Sequence, residues 1–150
     1  MVLRAPAGPE RDARRGLRLH ETKVELDVPF HHVDALQIVW HGHYPKYFEA
    51  AGMALLRKLR LDGGDLIGRR FRLVVIETSI RHGFPLHYAD RVGVTAWISD
   101  YERRLTLRYE IHNQTHDRRA AHGHTRLATL DDEGQLRMVT PPEIVERILA

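Results

Sequence analysis

Apolar and polar residues alternate from Lys23 to Phe30, with Val24, Leu26, Val28 and Phe30 on one side and Lys23, Glu25 and Asp27 on the other. A period of two predicts a half-buried strand. Pro29 falls near its end, where a missing N–H is tolerated. An irregular stretch follows to His43, and then the period changes. Tyr44, Tyr47, Phe48, Ala51, Leu55 and Leu59 recur at three- and four-residue spacing, which predicts a helix with one apolar face. Pro45 suits its first turn. Gly52 costs a helix about 1 kcal/mol against alanine, so it either weakens the case for helix there or marks a close approach. Asp62, Gly63 and Gly64 are the expected stop.

Beyond that stop the pattern is one of strands. Phe71–Ile80 is β-branched, Arg91–Ser99 and Leu105–Ile111 alternate, and Ala120–Leu130 is a longer, less regular strand ending at the turn Asp131-Asp132-Glu133-Gly134. Thr140-Pro141-Pro142-Glu143 reads as a capping box, with Thr140 as N-cap, opening a short helix whose apolar face is Ile144, Val145, Ile148 and Leu149. Strands joined by short connections imply antiparallel pairing, and one amphipathic helix must cover one face of the sheet. The fold class is α+β.

Composition narrows the chemistry. At 150 residues the chain suits one domain and can bury a core without staples. It has no cysteine, which excludes disulfides, thiolate metal sites and a cysteine nucleophile. The net charge is +3, and Lys23, Lys46 and Lys58 are the only lysines among 23 basic residues. Arginine suits phosphate or carboxylate, but interspersed acids leave no basic stripe for nucleic acid. No run reaches the ~18 apolar residues of a membrane span. Residues 1–16 are rich in Arg, Pro and Gly without a signal-peptide core, so they are expected to be a flexible tail on a cytoplasmic domain spanning 17–150.

The stretch from Phe30 to Tyr44 gathers His31, His32, Asp34, Trp40, His41 and His43 between a strand end and a helix start. Helix starts carry unsatisfied N–H groups and can stabilise an anion. Val33-Asp34-Ala35, Ile38-Val39-Trp40-His41-Gly42-His43-Tyr44 and Tyr47-Phe48-Glu49 resemble the active-site signature of hotdog-fold acyl-CoA thioesterases, the 4-hydroxybenzoyl-CoA thioesterase type in particular. Tyr88-Ala89-Asp90 and the hairpin Tyr101-Glu102-Arg103-Arg104 resemble the family too. Leu36 and Gln37, where members have small residues, and His43, where they have asparagine, depart from it.

The resemblance implies a hotdog fold, an antiparallel sheet wrapped around one long helix with a short C-terminal helix. It also implies hydrolysis of an acyl thioester on coenzyme A or an acyl carrier protein, with no cofactor. Asp34 would be the nucleophile or general base. Amides around Trp40, His41 and Gly42 would hold the oxyanion, with His41 orienting the substrate. Tyr44, His43 and Glu49 would contact substrate, Glu49 being the reserve carboxylate, and Arg103 and Arg104 would hold carrier phosphates. A thioester's leaving group has a pKa near that of cysteine, about 8.5, so it departs without a strong acid. Members of the family form homodimers or homotetramers joined edge to edge, with sites at the interface.

Other readings stay open at this point. Gly42-His43-Tyr44-Pro45 also resembles a motif of hotdog 3-hydroxyacyl thioester dehydratases, in which His43 would be the base. A hotdog protein that binds acyl thioesters without turning them over is a third. The pairs His41-x-His43 and His122-x-His124 lack a third ligand at a convincing spacing, so no metal is expected. Arg69-Arg70 and Arg118-Arg119 are basic pairs with no motif behind them.

Overall fold

A computed structural model describes residues 17–64 and 70–150; the expected tail, 1–16, lies outside the described residues. The elements in order are β1 (Leu19–Asp27), short 3-10 turns at Phe30–His32 and His41–His43, α1 (Tyr44–Lys58), β2 (Phe71–His82), β3 (Arg91–Asp100), β4 (Leu105–Asn113), β5 (Arg118–Asp131) and α2 (Pro142–Leu149). Among the described residues, no helix is long and apolar enough to cross a membrane.

The strands form one antiparallel sheet in the order β1-β3-β4-β5-β2. β3, β4 and β5 follow one another as hairpins, as their short connections imply. β2 does not pair with the next strand: it lies at the far edge against β5, and residues 83–90 cross the end of the sheet to begin β3. Helix α1 packs on the sheet through Tyr44, Tyr47, Phe48, Ala51, Leu55 and Leu56, all buried. Burying that stripe is what holds a 15-residue helix that would be marginal in isolation. Gly52 faces Tyr109, and a Cβ there would stand 2.8 Å from its Oη.

Two boundaries differ from expectation. Helix α1 ends at Lys58, before Gly63, because Arg60 takes a left-handed φ of 57°. The Leu61 amide donates to Leu56 O at 2.8 Å and the Arg60 amide to Arg57 O at 3.0 Å. This is a Schellman closure in which buried Leu61 supplies the apolar contact. Arg147 of α2 donates to the Arg60 carbonyl and ties the two helix ends together. At α2 the cap is Pro141, not Thr140, and no side chain caps it. Either proline suits a first turn; the Thr140 amide instead donates to Glu102 O at 2.8 Å, which holds it outside the helix.

Candidate active site

The loop between β1 and α1 is built around a tight turn. The Asp34 amide donates to Ile38 O at 3.0 Å and the Gln37 amide to Asp34 O at 2.9 Å, with Gln37 in the left-handed region at φ 66°. Asp34 Oδ1 accepts the Leu36 amide at 2.8 Å, an Asx turn that fixes the carboxylate. Asp34 is thus a turn former, and the turn uses one of its two oxygens. Leu36 and Gln37, the departures from the family pattern, form the exposed tip.

The crossover loop holds this turn in place. The Val39 amide donates to Leu86 O at 2.8 Å, and Val28 and Ala89 exchange bonds with the same segment (Val28 N–H to Asp90 O, 2.9 Å; Ala89 N–H to Val28 O, 3.0 Å). Asp90 anchors the crossover. Its Oδ2 accepts the His87 amide at 2.8 Å and Asn113 Nδ2 at 2.7 Å, and its side chain is only 6% exposed. Burial pushes the Asp90 carboxyl up, but the bonds from His87 and Asn113 outweigh it and leave the group below its ordinary value.

The helix start lies at the other end of the same loop. The Trp40 amide is spent on His32 O at 3.0 Å and the His43 amide on Trp40 O at 3.0 Å, while the Tyr44 amide caps His41 O. Of the amides expected to hold an oxyanion, His41 and Gly42 remain as the leading N–H groups of the turn. The Trp40 ring folds over Gly42 so closely that a Cβ there would meet it at 2.3 Å, and any larger residue would have to displace the indole.

Two of the loop histidines stack on each other, and the ligand-type side chains that come together lie elsewhere, where His87, Asp90 and His116 place ligand atoms within 4.8 Å of one another. His32 and His43 lie face to face at 4.2 Å, and His43 Nδ1 is 3.3 Å from Lys46 Nζ. Burial, then the neighbouring charges, holds both below the usual imidazole range. Burial pushes the Tyr47 hydroxyl up to about 12, so it stays protonated, and it shares a hydrogen bond with His32 Nδ1 at 2.7 Å. His82, from the end of β2, meets Tyr44 edge-on at 4.5 Å; burial and then His41 hold it low as well. Tyr47 stands in the sequence signature without a role of its own, and nothing in the sequence singles out His82. A tyrosine in a helical stripe reads as core, and His82 joins the loop only through the sheet order.

An apolar cavity of about 340 Å³ opens between α1 and the inner face of β2, β4 and β5. Its walls include Phe48, Gly52, Val75, Tyr109 and Leu127, with Glu49 contributing the carboxylate. Asp34 does not line it. Nor does one protomer bring Arg103 and Arg104 to Asp34. They sit at the β3–β4 hairpin, whereas the Asp34 loop follows the β1 end that pairs with Arg91. The 10 residues of β3 separate the two ends, about 30 Å of strand. Arg104 Nη1 already donates to Arg103 O at 2.9 Å and approaches the carbonyls of Arg137 and Met138 at 3.4 Å. Arg103 lines a separate pocket with Asp100, Thr106 and Arg126.

Comparison with known proteins places this geometry. Residues 28–148 match the family model described as the Thioesterase-like superfamily. YneP of Bacillus subtilis, a candidate acyl-CoA thioesterase, is 30% identical over 96 residues, 63% of this chain and 70% of that protein. Slr0204, a 1,4-dihydroxy-2-naphthoyl-CoA thioesterase from Synechocystis, superposes with a TM-score of 0.74 at 20% identity, over 86% of this chain and 96% of that one. A 4-hydroxybenzoyl-CoA thioesterase variant, solved with 4-hydroxybenzoyl-CoA, also gives a TM-score of 0.74 at 14% identity, covering 86% of this chain and 99% of its own.

Proposed function

Because the chain belongs to the Thioesterase-like superfamily and has the hotdog fold of the acyl-CoA thioesterases it resembles, we propose that it hydrolyses acyl thioesters of coenzyme A or a carrier protein with Asp34 as the reacting carboxylate. The observation that carries this reading is the shape of the Asp34–Gly42 loop. One carboxylate oxygen is pinned by the Leu36 amide, while the leading amides of the helix start stand at the loop's other end. A pinned carboxylate loses little freedom on engaging substrate, which favours either direct attack or activation of water. The His41 and Gly42 amides would receive the oxyanion that forms on the thioester oxygen. The carbon–sulfur bond then breaks, and the thiolate departs without needing a strong acid.

Glu49 lines the apolar cavity, so it fits a substrate-facing role, with the acyl group in the cavity and Tyr44 and His43 flanking the helix start. A homodimer would complete the arrangement. β2 is a 12-residue edge strand with Val75 58% and Ile76 54% exposed, and such an edge invites pairing. Antiparallel joining of two β2 edges about a two-fold axis would carry the partner's hairpin, with its copies of Arg103 and Arg104, to the end where Asp34 lies.

The test is direct because the chain has no thiol of its own. A thiol-reactive dye reports released coenzyme A during turnover of aromatic and aliphatic acyl-CoAs. Asp34→Ala should lower kcat/KM by about 100-fold or more, and Glu49→Gln by much less. If Asp34→Ala keeps most of the activity while Glu49→Gln loses it, the carboxylate has been misassigned.

A further inference from the structure

We infer that the cleft between the end of β2, the crossover loop and the start of β5 seats a phosphate group of the substrate's carrier, held by Arg81, Arg118 and Arg119. This rests on the thioesterase reading and names where that substrate's charged end lies. The cleft has a volume of about 580 Å³, and no acidic side chain lines it. Elsewhere on the sheet, Arg91 and Arg126 are matched to carboxylates. Arg91 sits 2.9 Å from Glu25 and 3.6 Å from Asp27, and Arg126 is 3.3 Å from Glu77. Among the described residues, Arg81 and Arg119 have no such partner. Arg118 lays its guanidinium over the Phe84 ring at 5.0 Å, a contact that uses its face and leaves its in-plane N–H groups for an acceptor.

Arg81 brings a guanidinium to the end of β2, opposite His122 in the β2–β5 register. Arg119 and Arg118 bring two more charges to the same rim. A phosphate offers several acceptor oxygens to arginine forks.

Position links the cleft to the chemistry. His82 forms part of its wall, and the same ring packs on Tyr44 at the start of α1, next to the His41 and Gly42 amides. The phosphate seat and the oxyanion donors therefore share a wall within one protomer, whereas Arg103 of that protomer lies the length of β3 away.

Two measurements on the full chain test this. In the first, calorimetry measures binding of free coenzyme A to wild type, to the double variant Arg118→Ala/Arg119→Ala, and to Arg103→Ala as the comparison site. The double variant should bind about ten-fold or more weakly. In the second, steady-state kinetics compares acyl-CoA, acyl-carrier protein and the phosphate-free acyl-pantetheine. The double variant should raise KM for acyl-CoA about ten-fold with kcat nearly unchanged, and leave KM for acyl-pantetheine alone. A rise shared with acyl-carrier protein assigns the cleft to the phosphate that adjoins pantetheine in both carriers; a rise confined to acyl-CoA assigns it to the nucleotide phosphates. Coenzyme A affinity and KM unchanged in the double variant, or reduced binding in Arg103→Ala alone, would overturn the inference. If wild type binds coenzyme A through these arginines yet cleaves no thioester, the hydrolase reading fails and the phosphate seat stands.

Discussion

Gly52→Ala sets a local rule against a tertiary one. Helix propensity alone says the change stabilises α1 by about 1 kcal/mol. The structure says otherwise, because the new Cβ would lie 2.8 Å from Tyr109 Oη, 3.3 Å from Tyr109 Cε1 and 3.5 Å from Leu107 Cδ1. Tyr109 has little room to give. Its ring stacks on Phe48 at 4.4 Å with planes 7° apart, and its hydroxyl is 2.8 Å from Thr125 Oγ1 in a buried bond. Displacing the hydroxyl leaves two buried polar groups poorly matched, about 1–3 kcal/mol, and crowding a packed core adds about as much. The net expectation is a loss of roughly 1–3 kcal/mol, which urea unfolding would record as a lower midpoint at unchanged slope. Removing the hydroxyl removes the worst clash. In a Tyr109→Phe background, Gly52→Ala should therefore be near neutral or stabilising, giving a coupling of about 1–3 kcal/mol in the double-mutant cycle. Since Gly52 and Tyr109 both line the cavity, the single variant should also discriminate against bulky acyl groups. A Gly52→Ala protein more stable than wild type by the full helix-propensity gain would refute the reasoning.

Two further outcomes follow from the loop and its anchor. Asp90→Ala strands the His87 amide and the Asn113 side chain, so it should cost about 2–4 kcal/mol by chemical denaturation. It should also lower turnover, because the crossover segment carries Leu86 O, the acceptor for Val39; full activity with reduced stability would uncouple the two. His32, His43 and His82 are all held below the ordinary imidazole value of 6.5 when folded, so the unfolded chain binds their protons first. Stability should rise with pH through the interval between the folded values and 6.5 and fall as the solution is acidified through it. Thermal midpoints at pH 7.5 and 5.5 should show that drop, and His32→Gln/His43→Gln should reduce it; an equal drop in the variant would assign the effect elsewhere.

Features that depend on a residue's near neighbours were legible in the sequence. The alternation over Lys23–Asp27 marks β1, the three-four spacing from Tyr44 marks α1, and of the two readings open for Gly52 the close approach is the one the structure bears out, made by Tyr109. Features decided by partners far along the chain were not. Nothing in the alternation of Phe71–Ile80 says that its neighbour is β5 rather than β3, because a strand's period reports which face is buried and not what lies alongside. The same blindness left Arg118-Arg119 without a motif and Arg103-Arg104 with an assumed one. Which arginines share an end of the sheet with Asp34 follows only from strand order. Helix ends were missed for a smaller reason: Arg60 adopts a left-handed conformation usually left to glycine, so the visible Gly63-Gly64 pair gave a false stop.

The strand order also bears on how the chain is made. β2 is complete once residue 82 has been synthesised, yet its partner strand begins at residue 118, 36 residues later. At about 5–20 residues per second, that gap is roughly 2–7 s. For that interval the nascent chain holds a long, apolar-sided strand with neither edge occupied, and α1 lacks part of the surface it will cover. Hairpins β3–β4 and β4–β5 close in microseconds once available, so the growing polypeptide waits on translation rather than on folding. Slowing the ribosome between codons 83 and 118 should lengthen the exposure of β2 to chaperones and to other nascent copies, while the same delay after residue 131 should leave the yield of native protein unchanged.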